Sequence, residues 1–280
     1  MRRASVKKKS KKTVKRTDPA SRQVDFLPVR KVSEMQQHRS YVFYGRSGTG
    51  KTTLASTFPK PVLLLDVNDQ GTDSIADHED INVRDIREWD EFELTYWYLM
   101  QHQDEYRTIV IDTVSALQGV CINHVLAEKN KDSERAGEWG VMTKQEWGQA
   151  ASLLKIWITR LRDLPMEVVF IAQDRTFNLD EEGDPEQMLD PEVGPQLMPS
   201  VVKHLNAAVH LIANTFIRER ISVRKVGNKK KEVKRIQFCA RLGPNPVYIT
   251  KVRKPKSVVL PSIIVDPSYE GLQRIIKGEE

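Results

Sequence analysis

Tyr41-Val42-Phe43-Tyr44-Gly45-Arg46-Ser47-Gly48-Thr49-Gly50-Lys51-Thr52-Thr53-Leu54-Ala55-Ser56-Thr57 is the stretch that decides the fold. Its first four residues form a short apolar run, the mark of a buried strand, and the run stops at Gly45. Residues 51–57 read as a helix that ends before Pro59 and Pro61. Between strand and helix, residues 45–52 fit G-x-x-x-x-G-K-[ST] in full. Each part of that pattern has a chemical reason. Glycines let backbone N–H groups converge on phosphate oxygens without Cβ clashes. The N-terminus of the following helix adds the positive end of a dipole. Lys51 offers a mobile charge to β- and γ-phosphates, and Thr52 a hydroxyl to Mg2+. The nucleotide cradle is therefore assigned to Gly45, Arg46, Ser47, Gly48, Thr49, Gly50, Lys51, Thr52 and Thr53.

Outward from the loop, apolar runs alternate with helical spacing. Pro61–Asp66, Tyr106–Asp112 and Glu167–Gln173 read as further buried strands, and Ala208–Ala213 as a fifth. Trp89–Gln103, 115–130 and 144–163 read as helices, another begins at Val201–His204, and Tyr269–Lys277 is the last. This alternation predicts an α/β fold with a mainly parallel central sheet covered by helices on both faces. Residues 216–240 read as a hairpin turning near Gly227-Asn228, with Lys229-Lys230-Lys231 at its tip, extending one edge. Pro246–Lys251 reads as one more strand, and 174–198 as a long acidic loop. The metal site needs a carboxylate at the C-terminal end of a strand near the loop. Asp112 fits, because Thr113-Val114-Ser115 and a helix follow directly; Asp66 is its rival, and either could instead cap the next helix.

Composition narrows the setting. Residues 1–16 hold nine of the 44 Lys and Arg and no acid, leaving 35 cations against 38 acids and a body near −3. Such a tail has little to bury, so residues 1–39 are expected to be a basic, largely disordered tail and linker ahead of one domain spanning 40–280. No apolar run approaches the ~20 residues of a membrane span. The basic N-terminus has no apolar stretch behind it, so a signal peptide is not expected. Cys121 and Cys239 are too few for a disulfide framework or a zinc site, in keeping with a cytoplasmic setting. The six histidines show no metal-ligand spacing, and Trp147 and Trp157 read as packing residues, with Trp139 the better candidate for stacking on a base.

The order of loop, a strand ending LLLD, a strand ending IVIDTVSAL and a strand ending VFIAQ resembles the RecA-like P-loop ATPases. YGRSGTGKTTLASTFPKPVLLLD is similar to the opening of the compact phage-encoded members linked to single-strand annealing and recombination. The resemblance covers roughly residues 40–275. It implies an ATP- and Mg2+-dependent protein acting on single-stranded DNA as a ring or filament of identical subunits, beside other recombination or replication proteins, in the bacterial host cytoplasm if phage-encoded. It implies that Gln173 senses the γ-phosphate, and that segments 131–143 and 174–198 stand where relatives hold DNA. It implies that Lys251, Arg253 and Lys254 stand where recombinases present cations to the next subunit's nucleotide.

Two departures matter. Relatives usually carry a glutamate, the general base for water, two residues beyond the strand end at Asp66; here that position is Asn68, with Asp69 beside it. An amide orients water but takes no proton, so Asp69 either substitutes as the base or turnover is slow or absent. Segment 174–198 carries eight acids against Arg175 alone, which phosphate repels unless Phe177 stacks on a base. The tail and the hairpin tip are the electropositive alternatives. The catalytic set expected is Lys51, Asp112, Asp69, Gln173 and Arg253, with Thr52 and Asp112 on the magnesium through water. The rival reading is a nucleotide-gated DNA-binding or annealing protein with little turnover. A small-molecule kinase would need an arginine-rich lid, and 174–198 is acidic.

Overall fold

The computed structural model describes residues 38–68, 71–130, 142–177, 192–226 and 229–279. The tail 1–37, Asp69, Trp139 and the acidic residues within 178–191 lie outside them. The element order is β1 (Ser40–Tyr44), α1 (Lys51–Ala55), β2 (Val62–Val67), a 3-10 turn (Thr72–Ile75), β3 (Ile81–Ile86), α2 (Trp89–Gln101), β4 (Thr108–Asp112) and α3 (Val114–Asn130). Then follow α4 (Lys144–Arg162), β5 (Glu167–Ala172), β6 (Asp174–Phe177), β7 (Glu192–Pro195), α5 (Pro199–Ala208), β8 (Leu211–Val226), β9 (Lys229–Arg241), β10 (Lys251–Val252), β11 (Ile263–Val265) and α6 (Tyr269–Lys277).

The main sheet runs β11-β9-β8-β1-β5-β4-β2-β3, with β10 paired to the start of β8. Its strands from β8 to β3 are parallel, and β9, β10 and β11 add antiparallel pairing at one side. Every residue of β1, β2 and β4 is buried, as continuous apolar runs require when helices cover both faces. One face packs Val42, Ile109 and Phe170 against α2, α3, α4 and α5; the other packs Phe43, Val110 and Val169 against α1 and α6. Trp157 of α4 meets Trp89, Phe92 and Tyr96 edge-on, so it is a core residue. Truncating it to alanine would cost about 3–5 kcal/mol. Trp147, 44% exposed, is not part of that core.

Several expectations are corrected. α1 spans five residues rather than seven, because Thr57 and Phe58 turn back on Leu54 and Ala55 carbonyls ahead of Pro59. Segment 174–198 is not all loop: β6 and β7 pair antiparallel in a small second sheet. The fifth strand and the first hairpin arm are one element, β8, and it starts at Leu211 because α5 runs to Ala208. Of Pro246–Lys251 only Lys251 belongs to a strand, β10: Asn245 accepts from the N–H groups of Val247 and Tyr248 in a turn, and Val247–Ile249 make just an isolated bridge to Val193 of β7. β3 and β11 were not expected. The hairpin itself is present: β8 and β9 stay in register from Asn214↔Arg241 to Val226↔Lys229. Its expected turn, at 227–228, lies outside the described residues.

Candidate functional site

The parallel strands deliver their C-terminal ends to one edge, and the loop leaves β1 there. Gly45 N–H donates to the Ala172 carbonyl at the end of β5 at 3.3 Å. A Cβ on Gly45 would lie 2.3 Å from the Thr215 carbonyl oxygen of β8, so that position must be glycine. Gly48 and Gly50 take φ of +77° and +81°, the left-handed region. The Thr49 hydroxyl donates to the Arg46 carbonyl at 2.9 Å and lies 2.8 Å from the Thr215 hydroxyl. The ammonium of Lys51, itself buried, donates to the carbonyls of Gly45 (2.9 Å) and Arg46 (2.7 Å).

The Thr52 hydroxyl donates to Asp112 Oδ2 at 2.7 Å. This bond joins the first turn of α1 to the end of β4. Asp66 is the register neighbour of Asp112 on β2, also buried, so two carboxylates stand side by side beneath the loop. The donor set fits the implied nucleotide. Glycine turns leave the loop amides unshielded by side chains, Lys51 carries the opposite charge to phosphate, and Thr52 and Asp112 present hard oxygens of the kind Mg2+ takes. Among the described residues, no separate cluster of three or more His, Cys, Asp or Glu could hold a metal.

Gln173 follows β5 at the same edge. Its N–H donates to Ser115 Oγ of α3 at 3.2 Å, and its carbonyl accepts from Gln196 N at 2.8 Å. It lines a cavity of about 320 Å3 with Asn68, Thr113, Ser115 and Gln196. Asn68 sits there at φ +58°, a conformation asparagine tolerates. A second cavity, about 330 Å3, lies on the β8 side of the loop, between Arg46, Thr49, Asp174, Asn214, Arg241 and Tyr248. Above it the buried Tyr44 hydroxyl donates to the carbonyls of Val193 (3.0 Å) and Ile249 (2.9 Å), tying β7 and the segment before β10 to the loop strand. Burial pushes the Tyr44 pKa up, so it stays a neutral donor. Phe177 packs against the core with Arg175 over its ring at 5.5 Å.

Lys251 and Arg253 are placed elsewhere. β10 pairs with Leu211 and Ile212, beside the start of β1 rather than its end, so within one chain these cations are remote from the loop. Lys251 donates to the Asn206 and Ala207 carbonyls and Arg253 to Ala207 at 2.7 Å, closing the C-terminus of α5. Both cysteines are buried and unpaired, and burial pushes the Cys121 thiol up to about 12. Nothing in the sequence pointed to Thr215, Arg241 or Tyr44 as site residues: each acts through a partner from a distant segment.

With β8 and β5 flanking the loop strand, and the carboxylate on β4 one strand further, the arrangement is that of a P-loop α/β fold with a mainly parallel sheet. Comparison with known proteins names the family. A model described as an AAA domain matches residues 37–253, and the chain belongs to that family. Among solved structures it is similar to a KaiC-like protein of the hyperthermophilic archaeon Pyrococcus horikoshii, at 10% identity over 82% of this chain and 89% of that one, with a TM-score of 0.36. No curated protein matches. Among the described residues, no helix is long and apolar enough to cross a membrane.

Proposed function

We propose that the protein hydrolyses ATP while acting on single-stranded DNA in recombination or replication, as a cytoplasmic homo-oligomer of the compact phage-encoded, single-strand-annealing type. The observation that carries the ATPase part is the 2.7 Å bond from Thr52 to Asp112, which unites loop and strand carboxylate in one site. Lys51 would exchange its two loop carbonyls for phosphate oxygens. Thr52 and Asp112 would hold Mg2+, which when bound offsets charge on the β- and γ-phosphates. Gln173 would report the γ-phosphate to β6 and β7 through the chain that follows it. Lys251 and Arg253 would serve the neighbour's nucleotide, so turnover would require assembly.

A second reading rests on Asn68. It lines the same cavity as Gln173, where it can orient water but accept no proton. With Asp69 as the base the protein turns over ATP; without one it is a nucleotide-gated DNA-binding or annealing protein. ATP turnover with and without single-stranded DNA decides, with Lys51→Ala as the blank. Turnover raised by DNA is expected. Tight ATP binding without turnover supports the second reading, and no ATP binding by the wild type sinks both.

A further inference from the structure

We infer that one face of the β8–β9 ribbon is the track on which single-stranded nucleic acid lies; this rests on the DNA-acting reading above and names its surface. Beyond Thr215 and Ala240 the two strands leave the body of the sheet, and Arg218, Arg220, Arg235 and Gln237 are not buried. Side chains alternate along a strand, and register partners share a face. The pairs Asn214↔Arg241, Phe216↔Cys239, Arg218↔Gln237 and Arg220↔Arg235 therefore place four arginines on one face, with no acid among them. The opposite face carries Ile217, Ile221, Ile236 and Phe238, and a Lys234–Glu219 ion pair at 3.2 Å. The ribbon is thus two-sided, and only one side matches a polyanion.

Charge alone would describe any polyanion site; the root of the face adds a reason for a nucleic acid. There the Arg241 guanidinium lies 3.7 Å from the Phe216 ring centroid and 4.1 Å from that of Tyr248. The stack borders the cavity of about 330 Å3 beside the loop, whose lining includes one carboxylate, Asp174. Phosphates along Arg218, Arg220 and Arg235 would lead the strand to this aromatic–guanidinium root, where a base stacks. Arg46 and Thr49 of the nucleotide loop line that same cavity with Asn214, Phe216 and Arg241, so the root abuts the loop. The acidic stretch after β6 is then not required for holding DNA.

The test uses the full chain with Arg218, Arg220 and Arg235 all changed to glutamine. Binding of fluorescent oligothymidylate and oligouridylate is titrated against salt, beside ATP affinity and Tm. Each single-strand phosphate left without its arginine flattens the slope of log K against log salt by about 0.7. Three such phosphates give a slope shallower by about 2, or roughly 100-fold weaker binding at 0.1 M salt relative to the 1 M limit. ATP affinity and Tm should hold, and Lys234→Gln, on the opposite face, should bind as the wild type does. If the wild type binds and the triple variant keeps its affinity and slope, the track is wrong and the function stands. If the wild type binds neither oligonucleotide, both fail. Binding of oligouridylate alone, abolished in the variant, supports the track and assigns it to RNA.

Discussion

Gly45→Ala tests how the loop is seated. The added Cβ would lie 2.3 Å from the Thr215 carbonyl oxygen and 2.7 Å from its hydroxyl. The nearer atom is backbone, fixed by the pairing of β8 with β1 and β9, so no rotamer change relieves it. The strands must part, or the loop must lift away from Thr215. Overpacking of this kind costs ~1–3 kcal/mol, and at roughly 2–4 °C per kcal/mol Tm falls by about 2–12 °C. ATP affinity falls with it, because the displaced loop carries the amides and the Lys51 carbonyl partners. Gly48→Ala is the contrast: nothing lies within 4 Å of its Cβ, so only the backbone at φ +77° resists, at ~1–2 kcal/mol. Differential scanning fluorimetry and a labelled-ATP titration read both effects. Adding Thr215→Ala to Gly45→Ala should not rescue, since the carbonyl remains. An unchanged Tm and ATP affinity in Gly45→Ala, or full rescue by Thr215→Ala, would refute the reasoning.

Asp112→Asn should abolish turnover and remove the Mg2+ dependence of ATP binding, while Asp66→Asn should be milder; the reverse order in a coupled phosphate-release assay would give the metal role to Asp66. Arg253→Ala should bind ATP normally yet lose turnover by ~10³-fold or more, as for a cation supplied in trans, and mixing it with Lys51→Ala should restore part of it; full activity in Arg253→Ala, Lys251→Ala and Lys254→Ala alike would end the assembly model. Burial first, then Arg253, Arg39, Lys251 and Arg162, push His210 down to about 4 from 6.5. Its Nδ1 accepts from Ser40 N at 3.1 Å, so the fold holds the neutral ring. That contribution is whole above pH 6.5 and is lost as pH falls from there through 4. Tm measured against pH should therefore fall less steeply over that window in His210→Asn, and parallel curves would count against it.

What could be read from the sequence depended on whether one segment held both the residues and the reason for them. Residues 45–52 are constrained consecutively, because a cradle of amides, a lysine and a hydroxyl must follow one another, so loop, strand and helix were legible together. The buried strands β1, β2, β4 and β5 were legible because burial on both faces leaves only apolar residues. β3 was not: it has one sheet neighbour, and Asn82, Val83, Arg84 and Asp85 stay exposed, so its sequence resembles a loop. β11 is three residues at the other edge, too short for any period. The choice of Asp112 over Asp66 rested on the turn and helix that follow it, and geometry added the bond to Thr52. Thr215 was beyond reach, since its meaning lies in a contact with Thr49, 166 positions away. The two faces of the ribbon were hidden for a related reason. Read along the chain, Arg218-Glu219-Arg220-Ile221 mixes signs with an apolar residue; alternation and the register with β9 are needed to sort the arginines onto one side. That sorting makes charge on this ribbon informative. A solvated surface gains nothing by separating its cations from its isoleucines, whereas a ribbon that holds a phosphate chain needs its cations on one face.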